Sequence, residues 1–134
     1  MGNCELVLIR GLPGSGKSTI ARELAAKGYK HFEADMWFEM RRKPFDGFLL
    51  RHAHRWCKEQ TEAALRAGSP VVVANTFTRL WEMGNYCALA EELNKPLRII
   101  TAKGSFGSIH NVPPEKIAQM AARWEETPPE LCAA

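Results

Sequence analysis

Residues 11–18 read Gly-Leu-Pro-Gly-Ser-Gly-Lys-Ser, and no other stretch leaves the fold so few options. Gly11, Gly14 and Gly16 free the backbone for conformations that a Cβ would forbid. Amide N–H groups in such a loop can turn toward one centre and form a nest for an anion. Lys17 opens the next helix, whose unpaired N–H groups and positive dipole end add to the same field. Its ammonium can reach the β- and γ-phosphates of ATP, and the Ser18 hydroxyl can ligate Mg²⁺. The expected cradle comprises Gly11, Leu12, Pro13, Gly14, Ser15, Gly16, Lys17, Ser18 and Thr19.

The flanks agree with this reading. Leu6–Ile9 is an unbroken apolar run suited to a strand buried on both faces. Residues 18–27 are good helix formers, and Gly28 can close the helix at its C-terminal cap. Strand, loop and helix stand in the order a phosphate cradle needs.

The same alternation continues. A second strand is expected at Tyr29–Ala34, ending at Asp35. A helix is expected from Phe48 to Ala67, with Leu49, Ala53, Trp56, Gln60 and Ala63/Ala64 on its buried stripe and Gly68 to close it. Val71–Ala74 lacks alternation and reads as another buried strand. Thr78 is the expected N-cap of a helix running through Asn94, with Met83, Tyr86, Leu89, Ala90 and Leu93 inward. Leu97–Thr101 reads as the fourth strand and 103–113 as a loop. The last helix is expected from Pro114, a good first helical residue, to Glu126, with Ile117, Met120, Ala121 and Trp124 inward.

Alternating strands and helices imply a parallel sheet of about four strands between helices, an α/β three-layer sandwich. Ligands of such sheets bind beyond the carboxyl ends of the strands. The loops 11–16, 35–37, 75–78 and 103–111 should therefore meet at one place. With 134 residues, 46% of them hydrophobic, the chain suits one domain, here 1–126, and a frayed tail at 127–134.

Lysines and arginines exceed acids by only three, too few to argue a nucleic-acid partner from net charge. Cys4, Cys57, Cys87 and Cys132 show no metal-like spacing, and no run approaches the length of a membrane span. A reduced, cytoplasmic protein without membrane contact is the expectation.

Phosphoryl transfer needs phosphate charge neutralised, Mg²⁺ positioned and an attacking oxygen aligned. Asp35, at the end of the second strand, can accept a proton from an acceptor hydroxyl, or cap the helix that follows. After the third strand stand Ala74 and Asn75, where an acid would help to hold the metal. Arg41–Lys58 carries six basic residues against Asp46 alone, with Trp37, Phe38, Phe45 and Trp56 nearby. That mixture suits single-stranded nucleic acid, or equally a solvated helix face over core aromatics. His110 can meet a nucleotide or brace its loop, and Arg123 can meet phosphate or solvent.

Taken together, Arg10–Thr19, Asp35, Ala53-His54-Arg55-Trp56, Asn75-Thr76 and His110–Pro113 leading to Ile117, Met120 and Arg123 resemble the P-loop kinase family that includes the bacteriophage 5′-polynucleotide kinases and zeta-toxin-type proteins. The resemblance implies ATP bound on the loop and Asp35 as general base toward a 5′-hydroxyl. It also implies a lid arginine, for which Lys103 or Arg123 stands in, because 106–108 is Phe-Gly-Ser. The pattern further departs at Ala74 or Asn75 (an acid in relatives), at Phe77 (Asn in relatives), and at Trp37-Phe38, where relatives place a phosphate-binding Arg.

The reading is an ATP- and Mg²⁺-dependent kinase with Lys17, Asp35 and Arg123 as catalytic residues and Ser18 on the metal. Its acceptor is a hydroxyl, either a nucleic-acid 5′ end or a nucleoside or other small metabolite. A nucleotide-binding module with decayed catalysis is the rival from a different class.

Overall fold

The computed structural model describes residues 4–104 and 112–128. Four strands, β1 (Leu6–Arg10), β2 (Lys30–Phe32), β3 (Val71–Asn75) and β4 (Leu97–Thr101), form one parallel sheet in the order β2-β3-β1-β4. Leu6 pairs with Val71 on one side and Leu97 on the other, so β1 is flanked along its whole length. Every residue of β1 and β3 is buried, which explains why neither run alternates.

Helices α1 (Lys17–Ala25), α2 (Asp35–Met40), α3 (Leu50–Arg66), α4 (Trp81–Glu92) and α5 (Pro114–Arg123) complete the described fold. Side chains alternate between the sheet's faces. Leu6, Leu8, Val71, Val73 and Ile99 pack with Cys57 and Leu65 of α3 and with Met83, Tyr86 and Leu89 of α4. On the opposite face Val7, Ile9, Val72 and Ala74 pack with Ala21 of α1. The sheet is thus the middle layer of three.

Three helices end alike. Gly28, Gly68 and Asn94 take left-handed φ values of 105°, 89° and 55°. The next amide then reaches back to the helix: Tyr29 to the Leu24 carbonyl at 3.2 Å, Ser69 to Ala64 at 3.0 Å, and Lys95 to Ala90 at 2.8 Å. Those bonds satisfy carbonyls that the helix end leaves open.

Several boundaries differ from the sequence reading. β2 is shorter than expected, because the Ala34 N–H leaves the ladder for the Asn75 Oδ1 at 3.0 Å. A 3₁₀ turn at Gly47–Leu49 precedes α3, with Asp46 accepting from the Phe48 N–H at 2.9 Å, and Phe48 is left 94% exposed. The buried stripe of α3 is Ala53, Cys57, Thr61 and Leu65. Gln60 and Ala63 are not part of it, and Trp56 is only partly buried, edge-on to Phe32. Thr61 tolerates the core because its hydroxyl donates to the Cys57 carbonyl at 2.8 Å.

Thr78 is not the cap of α4. Leu80 holds that position, and the Arg79 and Leu80 amides donate to the Glu82 and Glu125 carboxylates at 3.0 and 2.7 Å. Helix α5 stops at Arg123, and none of its residues is fully buried. It stops because Trp124 leaves the helix to stack on Arg10, and the Glu125 N–H donates to the Thr78 carbonyl at 2.8 Å. Thr127, placed in the tail by sequence, accepts from Arg10 Nη1 at 2.6 Å. No helix among the described residues is long and apolar enough to cross a membrane.

Candidate phosphate-binding site

The loop between β1 and α1 has the shape its glycines predict, for two different reasons. Gly14 and Gly16 adopt φ values of 82° and 96°. Gly11 instead makes a close approach: a Cβ there would collide with Ser15 Oγ and stand 2.9 Å from the Ala102 carbonyl oxygen. Its need is for space, not for a left-handed backbone.

Loops from all four strands are tied together. The Gly11 N–H donates to the Thr76 carbonyl at 3.2 Å, and the Gly104 N–H donates to the Ser15 carbonyl at 3.0 Å. Across the sheet, the Asn75 amide oxygen holds the Ala34 N–H, and Ser18 reaches Glu33. Residues 105–111, which include Phe106–Ser108, His110 and Asn111, lie outside the described residues.

Behind the loop, fully buried Arg10 fixes the geometry. Its guanidinium donates to the Phe77 carbonyl at 2.6 and 3.0 Å and to the Thr78 carbonyl at 3.2 Å. The first loop is thereby braced against the turn after β3 and the end of α5. Phe77 sits there at φ 46°, a left-handed conformation, with its ring edge-on to Tyr86.

Lys17 folds back so that Nζ donates to the Leu12 carbonyl at 3.2 Å. Burial lowers its pKa, an effect opposed by the nearby Glu33 and Asp35 carboxylates. Ser18 donates to Glu33 Oε2 at 3.0 Å, and His31 Nε2 lies 2.7 Å from the same oxygen. Burial alone would raise the Glu33 carboxyl. Contact with His31, the Ser18 hydroxyl and the Lys17 charge outweigh that and hold it below the usual carboxylate range.

Asp35 is the first residue of α2, half-buried, with Ala34 in the cap position. A carboxylate there faces the positive end of the short helix. The structure therefore gathers Lys17, Ser18 and Asp35 around the loop. Arg123 stands exposed in the last turn of α5. A cavity of about 470 Å³ beside the loop is lined by Leu12, Ser15, Ala102, Lys103, Trp124 and Glu126, among others, and Arg123 is not in its wall.

Glu33 was missed by sequence reasoning, which sought the second acid on β3. Its signal was an acid two residues before Asp35 at a strand's carboxyl end. Asn75, read from sequence as part of the site's third loop where an acid would help to hold the metal, positions the exit from β2.

Mg²⁺ takes hard oxygen donors, often only one or two protein carboxylates with phosphate and water completing the shell. Ser18, Glu33 and Asp35 fit that chemistry. Among the described residues no group of three or more His, Cys, Asp or Glu could hold a metal by itself.

A second constellation lies on α2, α3 and the segment that joins them. Arg41, Arg42, Lys43, Arg51 and Arg55 are exposed, as are Phe45 and Phe48. Trp37 is stacked with His52 at 6.4 Å between ring centroids, and the Arg41 guanidinium lies 4.5 Å from the Trp37 ring centre.

Human NEDD4-binding protein 2 is 37% identical over 91 residues, covering 65% of this chain and 5% of that protein. A chain in the Pnkp1/Rnl/Hen1 RNA repair complex superposes with a TM-score of 0.64 at 17% identity, covering 96% of this chain and 42% of that one. A gluconokinase from Sinorhizobium meliloti 1021 gives 0.61 at 18% identity, covering 94% and 78%. These likenesses establish a P-loop NTPase-like fold with kinases among its neighbours. The family described as AAA domain matches residues 6–127, which take in all four strands and every described helix, and this chain belongs to that family.

Proposed function

We propose that the chain transfers the γ-phosphate of ATP to a hydroxyl, with the 5′-hydroxyl of a single-stranded nucleic acid as acceptor. The observation that carries this reading is Lys17, held at the mouth of the amide cradle with Asp35 close enough to act on its charge. A triphosphate entering the loop draws Lys17 off the Leu12 carbonyl and onto phosphate oxygen. Amides of the loop and of the first turn of α1 supply further donors. Mg²⁺, when bound, neutralises charge on the β- and γ-phosphates. Asp35 accepts the proton of the attacking hydroxyl. The cavity beside Leu12 and Trp124 suits the nucleoside end of ATP.

Support for a nucleic-acid acceptor comes from the exposed Arg41 and Arg42 after α2 and Arg51 and Arg55 of α3, on the same stretch of chain as Trp37, Phe45 and Phe48. Such a surface offers backbone charge neutralisation and base stacking together. An RNA repair complex among the structural neighbours points the same way. The gluconokinase neighbour makes a small polyol the competing acceptor.

The test is transfer of labelled γ-phosphate to a panel of 5′-hydroxyl RNA, 5′-hydroxyl DNA, nucleosides and sugar acids. Label at the 5′ end of an oligonucleotide is expected. Asp35→Asn should lower the rate by ~10²–10⁴-fold with ATP affinity unchanged. Nucleotide binding without transfer to any acceptor would overturn the enzyme reading in favour of a nucleotide-binding module.

A further inference from the structure

A P-loop site of this kind normally holds its cation between the loop's Ser or Thr and an acid at the end of the neighbouring strand. Here that strand is β3, and its end offers Ala74, whose methyl packs in the core against α1, and Asn75, whose side chain is engaged with Ala34 and Cys57. Neither supplies a charge. One strand further out, Phe32 pairs with Val73, so the residue after it, Glu33, emerges beside Ala74. Its carboxylate crosses to α1 and accepts from the Ser18 hydroxyl at 3.0 Å. Only 12% of the Glu33 side chain is exposed. Oε2 takes both the Ser18 and His31 contacts, and Oε1 has no hydrogen bond among the described residues.

We propose that Glu33 holds the divalent cation of this site jointly with Ser18, an acid on the edge strand doing the work of the one absent from β3. The site's charge balance fits. Lys17 stands near both Glu33 and Asp35, so two acids remain to meet a cation while one lysine meets phosphate. His31 is a positioning residue, fixing the rotamer of Glu33 through its contact at 2.7 Å. This inference rests on the nucleotide reading of the loop.

The experiment measures ATP affinity by calorimetry in Mg²⁺ and in EDTA, with Mn²⁺ electron paramagnetic resonance as a direct readout of the cation. Wild-type protein is expected to bind ATP more tightly with the metal present and to immobilise Mn²⁺ in the ternary mixture. Glu33→Gln keeps a hydrogen-bond acceptor for Ser18 but loses the charge. It should cost ~10–100-fold in the metal-dependent part of the affinity, the range seen when partners of a metal site are removed. Its affinity in EDTA should hold or rise, which also reports that the loop is folded. Ser18→Ala should lose the same increment. If Glu33→Gln keeps the full Mg²⁺ increment and the Mn²⁺ signal, Glu33 merely props Ser18 and the proposal fails alone. No ATP binding by the wild type under either condition would overturn both this proposal and the nucleotide reading.

Discussion

The Arg10 guanidinium stacks on the Trp124 ring at 3.9 Å from its centroid, joining the end of the first strand to the residue that terminates α5. A fully buried cation needs its donors filled, and the Phe77, Thr78 and Thr127 oxygens do this from three directions. Replacing Arg10 by Met keeps much of the volume but leaves buried carbonyls without donors. Arg10→Met is expected to cost ~2–4 kcal/mol, measured as a lower urea midpoint. Trp124→Ala, at a half-buried position, should cost less than Arg10→Met.

Glycine replacements separate backbone strain from function. At Gly28, with φ 105°, an added Cβ meets nothing within 4 Å. Gly28→Ala should therefore cost ~1–2 kcal/mol of strain and leave ATP binding untouched. Gly16, at φ 96°, carries comparable strain but lies inside the cradle. Gly16→Ala is expected to lower stability by a similar amount and to abolish measurable ATP binding in the same titration.

Alkaline pH should expose the buried thiol of α3. Burial pushes Cys57 up to about 11 from an ordinary 9. The folded chain thus keeps a proton that the unfolded chain releases. This contribution is complete below pH 9 and is lost as pH rises toward 11, up to ~2–3 kcal/mol in all. Urea midpoints of the wild type should fall across that interval more steeply than those of Cys57→Ala. The native thiol should also resist alkylation near pH 8, becoming reactive only in denaturant.

What sequence revealed, and what it concealed, has a physical pattern. The glycine-rich loop, the two fully buried strands and the glycines ending α1 and α3 depend on local backbone chemistry, and each was legible along the chain. Glu33 was not, because its role follows from where β2 docks against β3 and from the first turn of α1. The α3 stripe shifted because Thr61 satisfies its own hydroxyl on the helix and can replace an apolar residue. α5 ended early because Arg10, far away in sequence, draws Trp124 out of the helix. Phe77 is instructive in another way. Asn is a residue more at ease with positive φ, whereas here buried aromatic packing and the Arg10 bonds hold a phenylalanine at 46°.

The placement of β1 has a consequence for how the chain is made. Synthesised before both of its neighbours, it is flanked only when Val71–Asn75 and then Leu97–Thr101 have left the ribosome. A chain interrupted before Leu97 carries an apolar ribbon with one side bare, the kind of surface that invites wrong partners. The grip on phosphate thus waits for two strands made well after the loop that supplies it.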